Sequence, residues 1–199
     1  PPDPTSRNEC SVGGAIACNA SGVRSFRYGS IRNWVEALEV VFPTGEVQIL
    51  DRSVPIPSNF PELSWELPAV KTAAGYHPAS NMLDLMIGQE GTLGVITRAW
   101  VKIISAPTAV MGLIVWFSKL TDAIDFVDLA RRGAQRPGAS AAPASLNPRA
   151  IEFFDHQCLE LIRKRVEIPE QAHCGLFMEI EHDGDPDLES WLEGLESCN

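Results

Sequence analysis

The sequence lacks the residue patterns of several common classes of protein. No apolar run among its 199 residues is long enough to span a bilayer, and the N-terminus is not signal-like. The five cysteines form no Cys-x-x-Cys pair and no zinc-like spacing. The net charge of −10 argues against a nucleic-acid-binding surface, which needs clustered Lys and Arg. Scattered cysteines fit a reducing compartment, so we expect a cytoplasmic protein without a transmembrane segment and without a nucleic-acid partner.

Patterns for metal binding and for nucleophilic catalysis are also missing. The four histidines are dispersed, at His77, His156, His173 and His182, with no His-carboxylate pair at helical spacing. No Ser-His-Asp or Cys-His arrangement stands out. No Gly-Lys-Ser/Thr P-loop occurs, and the glycines lack the flanking strand and later acidic residue of a Rossmann fingerprint. We therefore assign no metal and leave the catalytic residue unknown.

Two glycine-rich stretches are the most informative feature that is present. They read Cys10-Ser-Val-Gly-Gly-Ala-Ile-Ala-Cys-Asn-Ala-Ser-Gly22 and Gly88-Gln-Glu-Gly-Thr-Leu-Gly-Val-Ile-Thr97. Glycine lets backbone approach a ligand closely and adopt angles that a side chain would forbid. The first stretch predicts a turn that enters a short helix, with the amides of Gly13 and Gly14 free to hold an anion. Together the stretches indicate a large, phosphate-bearing cofactor held mostly by main chain.

The apolar pattern predicts alternating strands and helices. Predicted strands cover 35–42, 46–50, 94–104, 110–117, 151–154 and 174–181, and the first two form a hairpin. Besides the helix within 8–22, predicted helices cover 121–132, 156–166 and 186–195, the first capped by Thr121 or Asp122. Residues 51–68 and 133–148 read as loops. The sequence pattern changes near residue 107, which predicts an α+β protein in two parts, 1–107 and 108–199.

The ordered motifs resemble the FAD-linked oxidases related to p-cresol methylhydroxylase and vanillyl-alcohol oxidase. The likeness is nearest to the glycolate oxidase and D-lactate dehydrogenase branch. It is carried by the two glycine-rich stretches, by Arg27-Tyr-Gly-Ser30, by Ala37-Leu-Glu-Val-Val-Phe-Pro-Thr-Gly-Glu46 and by Lys71-Thr-Ala-Ala-Gly-Tyr76. The resemblance implies that 1–107 is the second half of a PCMH-type FAD-binding domain. It implies that 108–199 is the first part of a ferredoxin-like cap domain. Since the family's upstream pyrophosphate loop, later cap and C-terminal segment do not occur, we expect a central piece of a longer protein.

The resemblance also implies an activity and a set of cofactor residues. The activity is oxidation of a 2-hydroxy acid of the glycolate or D-lactate type, by transfer of a hydride from C2 to the flavin of FAD. The implied cofactor-binding residues are Cys10, Ser11, Gly13, Gly14, Ala17, Gly22, Val95 and Ile96. The alternatives are a flavin-free scaffold or interaction subunit, and a flavin oxidase of another substrate class. We expect association with the missing portions or with another copy, and peripheral membrane association stays open.

For several polar residues, a structural role is an alternative to a functional one. We expect Glu90 to tie loop amides together, and Asn19 to cap or bridge backbone. Arg24 and Arg27 could reach an acidic substrate or the cofactor phosphates, although surface arginines are common. The acidic stretch Glu179–Asp187 reads as a solvated strand end. At position 89 this chain has glutamine where the family usually has serine.

Overall fold

The computed structural model describes residues 1–61, 65–67, 75–133 and 146–198. These residues form two compact units. The first unit contains 1–22 and 29–104, and the second contains 23–28 and 105–199. Each unit combines one antiparallel sheet with helices, which confirms the α+β class. The assignment of 1–107 and 108–199 to FAD-binding and cap domains stays a prediction.

The first unit has a three-stranded sheet, and its central strand pairs with the strand on either side. The elements of this unit are α1 (Val12–Ala17), a 3-10 helix (Ile31–Trp34), β1 (Val35–Val41), β2 (Val47–Asp51), α3 (Met82–Met86) and β3 (Val95–Val101). The strand order is β2–β1–β3, and both pairings are antiparallel. The predicted hairpin is therefore confirmed. The strand predicted over 94–104 is also present, although it is shorter.

The inner face of this sheet forms the core of the first unit. Leu38 and Val40 on β1 alternate inward, as a half-buried strand requires, and pair with Leu50 on β2 and with Ala99 and Ile96 on β3. They pack against Ile16 of α1 and against the apolar side chains of α3. Four of the five residues of α3 are apolar and buried, so this short helix covers the sheet with most of its surface. Both glycine-rich stretches thus lie beside one core.

The second unit is built around β6. Its elements are α2 (Ser25–Tyr28), β4 (Ala109–Phe117), α4 (Leu120–Gly133), β5 (Pro148–Phe154), α5 (His156–Ile162), β6 (Cys174–His182) and α6 (Leu188–Glu196). The antiparallel order is β4–β6–β5. Alternate residues of β6, from Cys174 to Ile180, pack with Phe126 of α4 and Trp191 of α6. The predicted strands and helices of this part are confirmed with shifted ends.

Some sequence expectations differ from the fold. Helix α4 begins at Leu120, so Thr121 and Asp122 lie in its first turn instead of capping it. Helix α5 ends at Ile162 instead of Val166, and β5 starts three residues earlier than predicted. The short helices α2 and α3 and the 3-10 helix were not predicted, because four or five residues carry no helical periodicity. Residues 71–74 of the family motif lie outside the described residues.

Candidate functional site

The first glycine-rich stretch forms α1 and the turn that enters it. Ser11 is the N-cap, and its hydroxyl accepts a hydrogen bond from the amide of Gly14 at 3.0 Å. The expectation of a free Gly14 amide is therefore wrong, because the capping serine takes that donor. Cys10, Ser11 and Gly14 are exposed, whereas Gly13 and Ala17 are half-buried.

The second glycine-rich stretch forms a loop that needs left-handed backbone. Gly88, Glu90 and Gly91 have φ values of 90°, 53° and 79°, and glycine adopts that region without strain. The amide of Gln89 donates from Nε2 to the carbonyl of Gly94 at 2.8 Å, and its Oε1 accepts from the Leu93 amide at 2.7 Å. The side chain that ties this loop together is thus Gln89, not Glu90, whose side chain is exposed.

The two stretches are hydrogen-bonded to each other. The amide of Gly88 donates to the carbonyl of Ile16 at 3.0 Å, and the amide of Glu90 donates to the carbonyl of Ala17 at 2.9 Å. A methyl group placed on Gly13 would lie 3.7 Å from the carbonyl oxygen of Ile96. The structure therefore brings Gly13 and Ala17 next to the second glycine-rich stretch, whose Ile96 lies about eighty positions later in the sequence.

Other candidate residues lie further from this junction or have a packing role. Gly22 faces Asp3, because a Cβ there would lie 2.1 Å from the Asp3 carbonyl oxygen. Val95 pairs with Val41 on the outer face of the sheet, opposite the face that carries Ile96. Gly94 is buried, and a Cβ there would lie 2.7 Å from Val40. Gly22 and Gly94 are thus explained by close packing alone.

Asn19 is buried beside the junction and keeps one polar atom without a partner. It has φ of 46°, and only 8% of the residue is exposed. Its Oδ1 accepts no hydrogen bond from the described residues, so the expected bridge to backbone is not found there for that atom. A Cβ added to Gly88 would lie 3.2 Å from the Cβ of Asn19, so the two residues are close neighbours. A buried acceptor of this kind is usually satisfied by a ligand or by water.

The junction fits a cofactor that is bound mainly by main chain. Small residues, Gly13 and Ala17, face it from α1, and Asn19 adds an unsatisfied acceptor. Close backbone approach suits a flat ligand, and the Asn19 amide oxygen can accept from an N–H or O–H group of that ligand.

A half-buried arginine binds the end of α3, where the second glycine-rich stretch begins. The guanidinium of Arg32 donates to the carbonyls of Asp84 and Ile87, which end that helix, and lies 3.4 Å from the Asp84 carboxylate. Burial lowers the pKa of Arg32. Burial and the Arg32 charge also lower the pKa of the half-buried His77. His77 is thus biased toward its neutral form.

A charge cluster joins α2 to β6 within the second unit. Arg149 contacts Glu179 at 2.7 Å and Glu181 at 3.3 Å, while Arg24 and Arg27 pair with the same two carboxylates at 3.4 Å and 3.0 Å. The cluster has three guanidiniums and two carboxylates. The expectation that this strand end is solvated is wrong for Glu179 and Glu181, since both are half-buried.

A tyrosine completes the cluster. Tyr28 donates its hydroxyl to Glu181 at 2.7 Å, and burial together with that hydrogen bond raises the pKa of Tyr28 to about 12. Sequence reasoning missed Arg149 and Tyr28. The one available signal was the spacing of Glu179 and Glu181, which puts both carboxylates on one face of a strand.

The described residues hold no group of three or more His, Cys, Asp or Glu that could bind a metal ion. His156 and His173 stack with ring centroids 5.0 Å apart, but both are exposed on α5 and the turn before β6. No helix in the described ranges is both long and apolar enough to cross a membrane.

Comparison with known proteins identifies relatives over most of the chain. The family model of the FAD binding domain matches residues 1–51. A D-lactate dehydrogenase of Anaerostipes hadrus is 41% identical over 157 residues, which are 79% of this chain and 26% of that protein. A D-2-hydroxyglutarate dehydrogenase of Xanthomonas citri is 37% identical over 107 residues, covering 54% of this chain and 19% of that protein.

The fold also matches a solved structure. A structure of alkyldihydroxyacetonephosphate synthase aligns with 99% of this chain and 35% of its own, with a TM-score of 0.62 at 21% identity. The matched part of the chain therefore spans about a fifth to a third of the length of these proteins. The family model and the sequence relatives confirm the resemblance to the FAD-linked oxidases and dehydrogenases: the chain is similar to a D-lactate dehydrogenase and to the glycolate oxidase subunit GlcD of Bacillus subtilis.

Proposed function

We propose that this chain supplies part of the FAD site of an enzyme that oxidises a D-2-hydroxy acid. The observation that carries the proposal is the junction of the two glycine-rich stretches, with the unpartnered Oδ1 of Asn19 buried beside it. FAD, when bound, accepts the hydride that leaves C2 of such a substrate. Relatives named for D-lactate and D-2-hydroxyglutarate support the substrate class.

The chain's own residues would position the cofactor. Gly13 and Ala17 would give it close access to α1, and the backbone of Val95 and Ile96 would border it from β3. The same role is proposed for the other residues of the two stretches, namely Cys10, Ser11, Gly14 and Gly22. Because Gly22 and Gly94 already pack against protein, Gly13 and Ala17 are the sharper candidates for cofactor contact.

The test is retention of FAD by the purified chain. We expect a flavin absorbance band that survives gel filtration at a stoichiometric ratio, followed by dye reduction with D-lactate, glycolate or D-2-hydroxyglutarate. Absence of retained flavin in excess FAD would show that this part of the site does not hold FAD by itself, and FAD binding in the presence of the remaining parts of the site would then decide between a partial site and the scaffold alternative. Retained flavin that is reduced only by a phenol or a sugar would favour another substrate class.

A chimera addresses the limited span of the chain. This sequence would replace the matching segment of the Anaerostipes hadrus D-lactate dehydrogenase, to which it is 41% identical. We expect the chimera to retain FAD and to oxidise D-lactate. A folded chimera without flavin would overturn the proposal even if the isolated chain bound weakly.

Association and location complete the proposal. Val47, Ile49 and Val95 are 57–65% exposed on the outer face of the first sheet, which supports pairing with a second copy of the chain. All five cysteines are free thiols, which supports a reducing compartment such as the cytoplasm.

A further inference from the structure

The loop between α3 and β3 is fixed at both ends by different means. Its beginning is bound to α1, through the Gly88 and Glu90 amides. Its end is bound by the side chain of Gln89, which bridges the Leu93 amide and the Gly94 carbonyl. The residues that follow directly are Val95 and Ile96.

Gln89 is placed to make these bonds strong. The residue is 2% exposed, so both of its hydrogen bonds are shielded from water. Its own carbonyl accepts from the Thr92 hydroxyl at 2.5 Å and from the Thr92 amide at 3.1 Å. One buried residue thus organises the four residues that follow Glu90.

We propose that Gln89 is a positioning residue of the cofactor site. It sets the backbone of Val95 and Ile96 relative to α1, where Gly13 faces the Ile96 carbonyl. This inference rests on the proposed function. A serine at position 89 would have a single oxygen to serve both the Gly94 carbonyl and the Leu93 amide, whereas glutamine uses two separate atoms.

The test compares FAD binding by wild type, Gln89→Leu and the control Gln48→Leu. Gln48 lies on β2, and among the described residues its side-chain amide hydrogen-bonds to the Glu46 side chain alone, at 2.7 Å. Loss of two buried hydrogen bonds is expected to weaken FAD binding about tenfold in Gln89→Leu, and to shift the flavin absorbance band. The control is expected to match wild type in both. Unchanged affinity and an unchanged band in Gln89→Leu would overturn the positioning role while leaving the proposed function intact.

A second variant separates positioning from loss of fold. In Gln89→Glu a protonated carboxyl can still donate to Gly94 and accept from Leu93, whereas the ionised form repels the carbonyl. Burial raises the pKa of such a carboxyl. We expect its FAD affinity, relative to wild type at the same pH, to recover several-fold between pH 8 and pH 5.5. A ratio that does not change with pH would contradict the role. A wild-type sequence that binds no FAD, either alone or within the chimera, would overturn both proposals.

Discussion

At the level of single residues, the glycines of the first stretch differ in what surrounds them. Gly13 has room for a methyl group, since the nearest atom would be the Ile96 carbonyl oxygen at 3.7 Å. Gly22 has none, because the Asp3 backbone occupies the position. This contrast separates a glycine available for a ligand from one required by packing.

Gly13→Ala should raise the stability of the fold and weaken the binding of FAD. Alanine favours the helix, so we expect the free energy of unfolding to rise by about 0.5 kcal/mol. The added methyl group would face the proposed cofactor, so FAD affinity should fall at least several-fold. Urea unfolding and flavin titration measure the two effects. Equal or tighter FAD binding would remove Gly13 from the site.

Gly22→Ala should instead destabilise the first unit. A Cβ 2.1 Å from the Asp3 carbonyl forces the N-terminal segment to move, at a cost on the order of 2 kcal/mol. The urea midpoint checks this, with Gly13→Ala as the matched control in the same stretch. An unchanged midpoint would mean that residue 3 is not held against Gly22.

At the level of elements, the cluster that joins α2 to β6 depends on Arg149. This side chain is only 8% exposed and contacts both carboxylates. In Arg149→Met, half-buried Glu179 loses its shortest ion pair, whereas Glu181 keeps Arg27 and Tyr28. We therefore expect a loss of about 2 kcal/mol in the free energy of unfolding. Arg132→Met is the control, since the Arg132 side chain is 77% exposed and its one ion pair within the described part of the chain is with Asp128. Equal effects of both variants would show that burial of the cluster is unimportant.

The same cluster predicts a loss of stability in acid. Burial raises the pKa of Glu179, but the hydrogen bonds and charges of Arg149 and Arg24 outweigh burial and hold it below its usual value. The stabilisation is therefore complete above the unfolded pKa of about 4.3 and is lost as pH falls through the lower folded pKa. Unfolding midpoints between pH 6 and pH 3 should show a steeper decline in wild type than in Arg149→Met. Parallel curves would contradict this coupling.

How far the sequence predicts these elements depends on their periodicity. The strands of both sheets follow from apolar patterns over five or more residues, and the helices α4, α5 and α6 from apolar repeats over seven or more. The junction of Gly88 with Ile16 could be expected only through family resemblance, since it joins distant segments. Arg149 and Gln89 could not be assigned, because their roles depend on tertiary partners that no local pattern specifies.

At the level of the whole molecule, the outer face of the first sheet leaves apolar side chains in water. Val47 and Val95 both pair with Val41, and Ile49 follows on the same face of β2. We expect the purified chain to self-associate in light scattering, and Ile49→Thr to reduce the apparent mass. Leu161→Ser is the control, since Leu161 is an even more exposed apolar residue on α5. A monodisperse monomer of the wild type would rule out this association.

The position of α2 has a consequence for anyone who wishes to divide this protein. Six residues near the N-terminus, Val23–Tyr28, belong to a unit whose other residues begin at Ser105. A cloning boundary at residue 104 or 107 respects the order of the chain but removes a spatially integral piece. The C-terminal product would keep Glu179 and Glu181 while losing Arg24, Arg27 and Tyr28. No single cut of the chain yields the complete second unit. Its two segments, 23–28 and 105–199, have to be joined by a linker or by circular permutation.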